Sequence, residues 1–338
     1  MITAGKADCS SSQIEPTTSH LTAANHWDHF LARLGIRRGN HRVRPGLYAL
    51  GRPVPESPAF VTANYTLSFD ALRSALHGID GYILVLDTRG VNVWCAAGKG
   101  TFGTDELVAR MAEADLENVV QHRTVILPQL GAPGVAAHEV RRRSGFRVEY
   151  GPVRAADLPD YLQAHEATPE MRRVGFSLAD RLVLIPVEVI HVLLPMLAAA
   201  ILLLLLGGVL PALSAVVAVL AGVVLFPILL PWLPTRDFSS KGLILGGLMA
   251  LPIAAAFLWS GQESSLWYRA GWAVGSLLVM SAVTAYLALN FTGSTTFTSR
   301  TGVEREVRTY IPVLAGMAGI GIVFIIVLVG MRWIGGSQ

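Results

Sequence analysis

Cysteine is almost absent from this chain, with only Cys9 and Cys95 in 338 residues. Two thiols exclude a disulfide framework and the zinc-finger spacings, and they fall short of the four that an iron–sulfur cluster wants. Charge is scarce too: Asp, Glu, Lys and Arg make up 15%, and the formal net charge is +3. The basic excess shows no concentrated face, so phosphate-backbone recognition has little support and nucleic acid is not an expected partner. The opening TAGKADCSSSQ has no apolar core, which predicts no secretory leader. Residues 1–25 are expected to be a disordered tail, and the first half of the chain to stay in the cytoplasm.

The scarcity is uneven. From residue 182 onward there are 7 of the 27 basic residues and 5 of the 24 acidic ones. That half holds five apolar stretches of spanning length, placed at 183–206, 210–231, 242–260, 267–289 and 311–331. The third is the shortest and contains Pro252, which membrane helices tolerate. Arg172, Arg173, Arg181, Arg236, Lys241, Arg300, Arg305 and Arg308 fall on one side of such spans, against Arg269 and Arg332 on the other. The bias predicts a multi-pass protein of the cytoplasmic membrane with its N-terminal half in the cytoplasm and its C-terminus outside. Trp232, Trp259, Trp267 and Trp333 stand near span ends, as interfacial anchors do. Glu188 and His191 share one face of the first span, either as a functional intramembrane pair or as partners of each other.

The other half alternates strand and helix patterns. PAFVTANY (58–65), YILVLDT (82–88), TVILPQ (124–129) and FRVEYG (146–151) read as strands. Between and after them, 68–78, 105–116, 134–145 and 157–165 read as helices. The expected architecture is a Rossmann-like α/β domain over residues 26–166, with a parallel sheet covered by helices on both faces. A linker at 167–182 and an all-α domain of five transmembrane helices at 183–331 follow. In such sheets ligands bind at the carboxyl ends of strands. The stretch NVWCAAGK, with Cys95, begins four residues beyond the strand that ends at Thr88, and so falls at that rim.

Four chemistries compete for this rim. Gly98, Gly100 and Gly103 match G-x-G-x-x-G, but NVWCAA separates them from the strand, which a dinucleotide turn does not allow. A catalytic thiol would want a base, and nothing in the sequence aims His122 or His138 at Cys95. A plain buried thiol is the common fate of a free cysteine, yet the neighbours Asn92, Gly98, Lys99 and Gly100 lie outside any apolar core run. Lastly, one thiolate can be the axial ligand of a metal whose other positions a macrocycle fills, with Ala96, Ala97 and Gly98 letting a flat ring approach.

NVWCAAGK resembles the signature of the corrinoid protein of microbial mercury methylation, a membrane-bound methyltransferase. The wider run ILVLDTRGVNVWCAAGKGTFGTDELV, with LPQLGAPGVAAHEV and SGFRVEYGPVRAADLP, is similar to the corrinoid domain of the acetyl-CoA pathway corrinoid iron–sulfur protein large subunit. The similarity covers about residues 45–165, and the five appended spans match the mercury-methylating branch alone. It implies a cap helix from Asn92 through Val93, Trp94, Cys95, Ala96, Ala97 and Gly98 to Lys99 beneath a corrinoid, with Cys95 as lower axial ligand to cobalt. Thr66, Asp87, Thr88, Gly100, Thr101, Gly131, Ala132, Pro133 and Gly134 are expected to include further contacts to the macrocycle or its tail; a simple turn requirement would equally explain the glycines.

The implied activity passes a methyl group from methyl-cobalt(III) corrinoid to Hg(II), forming methylmercury. The corrinoid is remethylated as cobalt(I) from a methyl-tetrahydrofolate-linked donor, and the cofactor carries most of the chemistry. The resemblance implies as partner a ferredoxin-like protein with two 4Fe–4S clusters, an electron donor and a candidate for delivery of Hg(II). The polar stretch 290–308 between the last two spans is expected either to dock that partner or the soluble domain, or simply to connect two helices. Two other functions stay open: a membrane-anchored corrinoid methyl carrier of one-carbon metabolism, and a transporter of thiophilic ions. The spans contain no cysteine, which weighs against the transporter.

Overall fold

A computed structural model of the protein describes residues 14–37, 39–259, 265–295 and 298–335. The chain divides into two compact units, Met1–Val174 and Gly175–Gln338.

The first unit is built on six strands: β1 (Glu15–Thr17), β2 (Gly46–Leu50), β3 (Ala59–Ala63), β4 (Gly81–Leu86), β5 (Thr124–Leu127) and β6 (Arg147–Tyr150). Their order across the sheet is β1-β2-β4-β3-β5-β6. Strands β4, β3, β5 and β6 run parallel, as expected, but β2 pairs antiparallel with β4, Gly46 opposite Val85 and Leu50 opposite Gly81. The sheet is therefore mixed, which corrects the parallel expectation. Strand β2 is a five-residue segment, GLYAL, entered from Pro45, too short for its alternation to stand out. Beyond it β1 lies on the edge and carries Pro16, which an edge strand can hold because it owes no hydrogen bond on its outer side.

The helices are α1 (Ala23–Arg33), α2 (Thr66–Ala75), α3 (Val93–Lys99), α4 (Thr104–Glu113), α5 (Leu116–Val119), α6 (Ala137–Ser144) and α7 (Leu158–Ala164). Alternate strand residues feed two cores. Ala59, Val61, Leu84 and Leu86 pack with residues of α3, α4, α5 and α6 on one face. Phe60, Ile83, Val85 and Ile126 pack with α2 and α7 on the other. The period-2 pattern thus buries both faces, as an α/β sheet requires.

The limits expected for this domain need correction. Glu15–Thr17 belongs to the sheet and α1 begins at Ala23 with Thr22 as its cap, so order sets in before residue 26. Cys9 and the rest of 1–13 lie outside the described residues. At the other end Ala167 is buried in the second core and Val153 donates to the Met171 carbonyl, so part of the expected linker is domain.

The second unit contains α8 (Leu178–Leu182), α9 (Ile185–Gly207), α10 (Val209–Leu220), a π-helical turn at Ala221–Leu225, α11 (Phe226–Leu229), α12 (Phe238–Trp259), α13 (Leu266–Asn290) and α14 (Arg300–Gly335). Among the described residues five helical segments are long and apolar enough to cross a membrane: Leu178–Gly207, Val209–Leu229, Phe238–Trp259, Leu266–Ser294 and Thr301–Met331. Pro252 sits inside a continuous α12. Gly242 and Gly246, four apart, bring α12 against α13: an added Cβ would come within 2.6 Å of Ala285 Cα and 2.8 Å of Ser281 Cα. This is the small-residue spacing of tight helix crossings in apolar surroundings.

Two expectations change here. Glu188 accepts a hydrogen bond from Ser294 Oγ at 2.9 Å, while His191 is exposed. The stretch 290–308 is mostly helical, because a 3-10 turn at Phe291–Ser294 continues α13 and α14 already begins at Arg300. Its Phe291, Thr292, Thr295 and Glu306 are buried within the unit, while Gly293, Ser299, Arg305, Val307 and Arg308 are exposed.

Candidate functional site

The site is assembled where β3, β4 and β5 end. Strand β3 leads to β4 on one side of it, and the chain then crosses to β5 on the other side, so the order reverses between β3 and β5. Such a switch point opens a crevice at the carboxyl ends of the strands.

Strand β4 leaves this rim through Asp87–Val91, and a single buried amide holds that loop. Asn64, 3% exposed at the end of β3, accepts at Oδ1 from the backbone N–H groups of Thr88 (3.1 Å) and Gly90 (2.9 Å). Its Nδ2 donates to Asp87 Oδ1 at 3.1 Å. Thr88 Oγ1 lies 2.9 Å from Asn64 Oδ1 and 2.7 Å from the Val91 carbonyl, so its one proton serves two acceptors. Asp87 Oδ1 also accepts from Arg89 N–H. Arg89 and Gly90 take left-handed backbone angles (φ 59° and 73°), which turn the chain sharply into α3. Asn64 was not singled out from the sequence; its signal was a polar residue directly after an apolar strand.

Helix α3 starts at an Asn92 cap, whose side chain accepts from the Cys95 N–H at 2.9 Å. It ends at Gly100, which adopts φ 81° and donates its N–H to the helix's last carbonyls. Val93, Ala96 and Ala97 are buried against the core, whereas Trp94 and Cys95 are half-buried and Gly98 and Lys99 exposed. With 3.6 residues per turn, Cys95 and Gly98 lie at the centre of the outward face, flanked by Trp94 and Lys99. The thiol is thus a deliberate exception to the burial usual for free cysteine. An added Cβ at Gly98 would meet no atom within 4 Å. A helical glycine costs about 1 kcal/mol against alanine, and packing within this chain supplies no reason for it.

The other candidates divide by what they touch. Gly134 and Gly131 serve close packing: added Cβ atoms would come 2.1 Å from the Phe102 carbonyl oxygen and 2.5 Å from the Phe102 ring. Phe102 itself, wholly buried under α3, escaped sequence reasoning because it stands in a glycine-rich link. Thr101 closes α3 through a backbone bond to the Ala96 carbonyl. Thr88 is fully enclosed, so it acts through the loop and not by touching a ligand. Of the candidates in the β5 loop, Gly131 is buried, Ala132 and Gly134 are half-buried and Pro133 is exposed. Thr66, the first residue of α2, keeps an enclosed Oγ1 with no hydrogen-bond partner.

Two alternatives fall to this geometry. Gly98 lies within α3, Gly100 caps it and Gly103 caps α4, so the three glycines link two helices instead of joining a strand to a helix. His122 donates to the Ser57 carbonyl (2.8 Å) at the amino ends of the strands, the rim opposite Cys95, and His138 is exposed on α6. Neither histidine serves Cys95 as a base. Among the described residues no three His, Cys, Asp or Glu side chains are grouped to hold a free metal ion.

What the site defines is the carboxyl-end rim of an α/β sheet with one soft donor on a capped helix, and similarity to known proteins bears on the same region. Residues 37–162 match the family model described as CO dehydrogenase/acetyl-CoA synthase delta subunit. The acetyl-CoA decarbonylase/synthase complex subunit gamma of Methanopyrus kandleri is 32% identical over 128 residues, 37% of this chain and 27% of that protein. The subunit gamma of Archaeoglobus fulgidus is 32% identical over 124 residues, covering 36% and 26%. The corrinoid/iron–sulfur protein large subunit of Moorella thermoacetica is 30% identical over 129 residues, covering 38% and 28%. These matches relate the α/β unit to corrinoid proteins, and the chain spans about a quarter of the length of the curated relatives it matches.

Proposed function

We propose that this chain is a corrinoid-dependent methyltransferase, held in the cytoplasmic membrane by its five long apolar helices, whose methyl acceptor is Hg(II). The observation that carries the reading is Cys95, a half-exposed thiol at the centre of the outward face of a capped helix on the sheet's carboxyl rim. The residues present fit a corrinoid. Sulfur is a soft donor suited to a cobalt centre, and the open space at Gly98 is one that a Cβ would fill. The relation to the corrinoid/iron–sulfur protein large subunit supports the cofactor class. Hg(II) as acceptor rests on the resemblance of NVWCAAGK and on the apolar helices that follow the α/β unit.

A bound corrinoid supplies the methyl-carrying metal centre, charged from a methyl-tetrahydrofolate-linked donor and discharged to the acceptor. The chain's own residues position and tune it. Cys95 would hold the group through its sulfur, and an anionic sulfur donor would raise the electron density at the metal centre. Asn92 fixes the Cys95 backbone, Val93, Ala96 and Ala97 lock α3 in register on the core, and Asn64 with Thr88 holds the loop that delivers it. Protein partners are expected because the relatives are subunits of complexes; the one proposed is a ferredoxin-like protein with two 4Fe–4S clusters, as electron donor.

The test is the full chain in lipid, loaded with methylated corrinoid and given Hg(II). Methylmercury from the wild type, with at least about a hundredfold loss in Cys95→Ala, supports the reading. Methyl transfer to a one-carbon acceptor with Hg(II) left unmethylated would instead establish a membrane-anchored corrinoid carrier, which the subunit gamma relatives favour. A protein that stays colourless after reconstitution removes both.

A further inference from the structure

Helix α1 is turned inside out. Trp27, Phe30, Leu31 and Leu34 have the i, i+3, i+4, i+7 spacing of a core-facing stripe. Yet Trp27 is 62% and Phe30 51% exposed, and their rings stack on each other at 5.4 Å. The side that faces the domain carries Asp28, His29 and the buried Ala32, with Leu31 and Leu34 half-buried. His29 Nε2 meets Asp70 Oδ2 at 2.7 Å, and Asp28 Oδ1 meets Nδ1 of the buried His41, also at 2.7 Å. His41 Nε2 in turn donates to the Ile36 carbonyl, which folds the following segment back onto α1. That segment, RLGIRRGNHRVR (33–44), holds five arginines and no acid. Arg33, Arg37, Arg42 and Arg44 are exposed, and among the described residues the acidic contact to them is Glu15, 3.6 Å from Arg44.

A surface that buries histidine and aspartate while presenting tryptophan, phenylalanine and four arginines is arranged for an outside partner. We infer that α1 and the 33–44 segment rest on the anionic headgroup surface of a bilayer. Aromatic rings suit the interfacial depth, arginines suit anionic headgroups, and a lipid surface asks for no shape complementarity from a convex helix. The inference rests on the proposal that the second unit spans a membrane, since tethering supplies the local concentration that lets so small a patch engage.

The test is amide hydrogen exchange on the full chain in nanodiscs of phosphatidylcholine alone or of phosphatidylcholine with phosphatidylglycerol. Exchange across 23–37 is expected to slow by about tenfold or more with the anionic lipid, and high salt should reverse this. Trp27→Ser with Phe30→Ser, and separately Arg33→Gln with Arg37→Gln, should each abolish the difference; all four side chains are exposed, so folding is spared. Equal exchange in the two lipids from a chain embedded in the disc overturns the inference, including the case where protection appears only with an acidic protein partner. A chain that never enters the disc overturns the membrane-spanning reading instead.

Discussion

In the α/β unit one pair of buried polar side chains converges on a single loop: Asn64 and Thr88 make their hydrogen bonds with the turn that launches α3. In the helical unit the buried Arg181 and Glu306 and the half-buried Lys241 satisfy backbone groups at helix ends. Arg181, 4% exposed, donates to the Pro227 and Ile228 carbonyls, Lys241 donates to the Leu230 carbonyl, and Glu306 accepts from the Ser239 N–H at 2.6 Å. The contrast teaches what each interior is for. Helix ends in apolar surroundings have no water to satisfy them, so charged side chains do so. In the α/β unit helix α3 is capped by its own Asn92 and Gly100, which leaves the buried amide free to aim a functional helix. Substitutions in the first set should therefore alter chemistry, and those in the second only endurance.

The largest effect separating the two is Cys95→Ala. It should cut methyl transfer at least about a hundredfold and shift the visible spectrum of bound corrinoid while leaving thermal unfolding unchanged, because the thiol is outside the core. An unchanged spectrum would mean that sulfur is not the ligand. Gly134→Ala comes next. A Cβ 2.1 Å from the Phe102 oxygen forces backbone movement, so a loss of about 3 kcal/mol by denaturant titration is expected, with corrinoid binding lost as α3 shifts. Glu306→Ala should destabilise the helical unit by about 1–3 kcal/mol through the unsatisfied Ser239 N–H, yet leave the corrinoid spectrum as in the wild type. A spectral change there would erase the division of labour.

Gly98→Ala sharpens the comparison within α3 itself. Helix propensity predicts a gain of about 0.5–1 kcal/mol in stability, and the filled space predicts weaker corrinoid binding. Equal affinity would show that no ring lies against this face. The smallest effect is alkaline. Burial raises Tyr82, Tyr150 and Tyr161 above the ordinary tyrosine value of 10.0. The folded state holds these protons more tightly, so their stability is complete below pH 10.0 and falls as pH rises through the raised values. Tyr150, whose hydroxyl donates to the Val135 carbonyl beneath the site loop, is the one to replace: Tyr150→Phe should flatten that decline in chemical denaturation curves.

Much of this was legible along the chain. The strands β3 to β6 and their helices showed through because buried parallel strands are continuous apolar runs and the helices between them keep a 3.6 period. The five apolar segments were plain from length and hydropathy. Strands β1 and β2 were hidden: three and five residues carry too little periodicity, and what orders them is pairing with residues far along the chain, such as Leu50 with Gly81. Helix α1 was missed for a different reason, since its aromatic residues Trp27 and Phe30 face outward and its anchoring residues Asp28 and His29 are polar.

At the site the sequence by itself determined the chemistry available, one soft thiol in a capped, small-residue helix after a strand, because residue type and local spacing set helix, cap and face. It could not separate glycines that admit a ligand from glycines that admit a neighbour. Only the tertiary structure decided that Gly131 and Gly134 lie against Phe102 while Gly98 faces open space, that Thr88 is sealed while Thr66 keeps an unpartnered oxygen, and that Asn64 holds the loop. The physical reason is that steric room and hydrogen-bond satisfaction depend on atoms distant in the chain, and these come together only when the sheet closes.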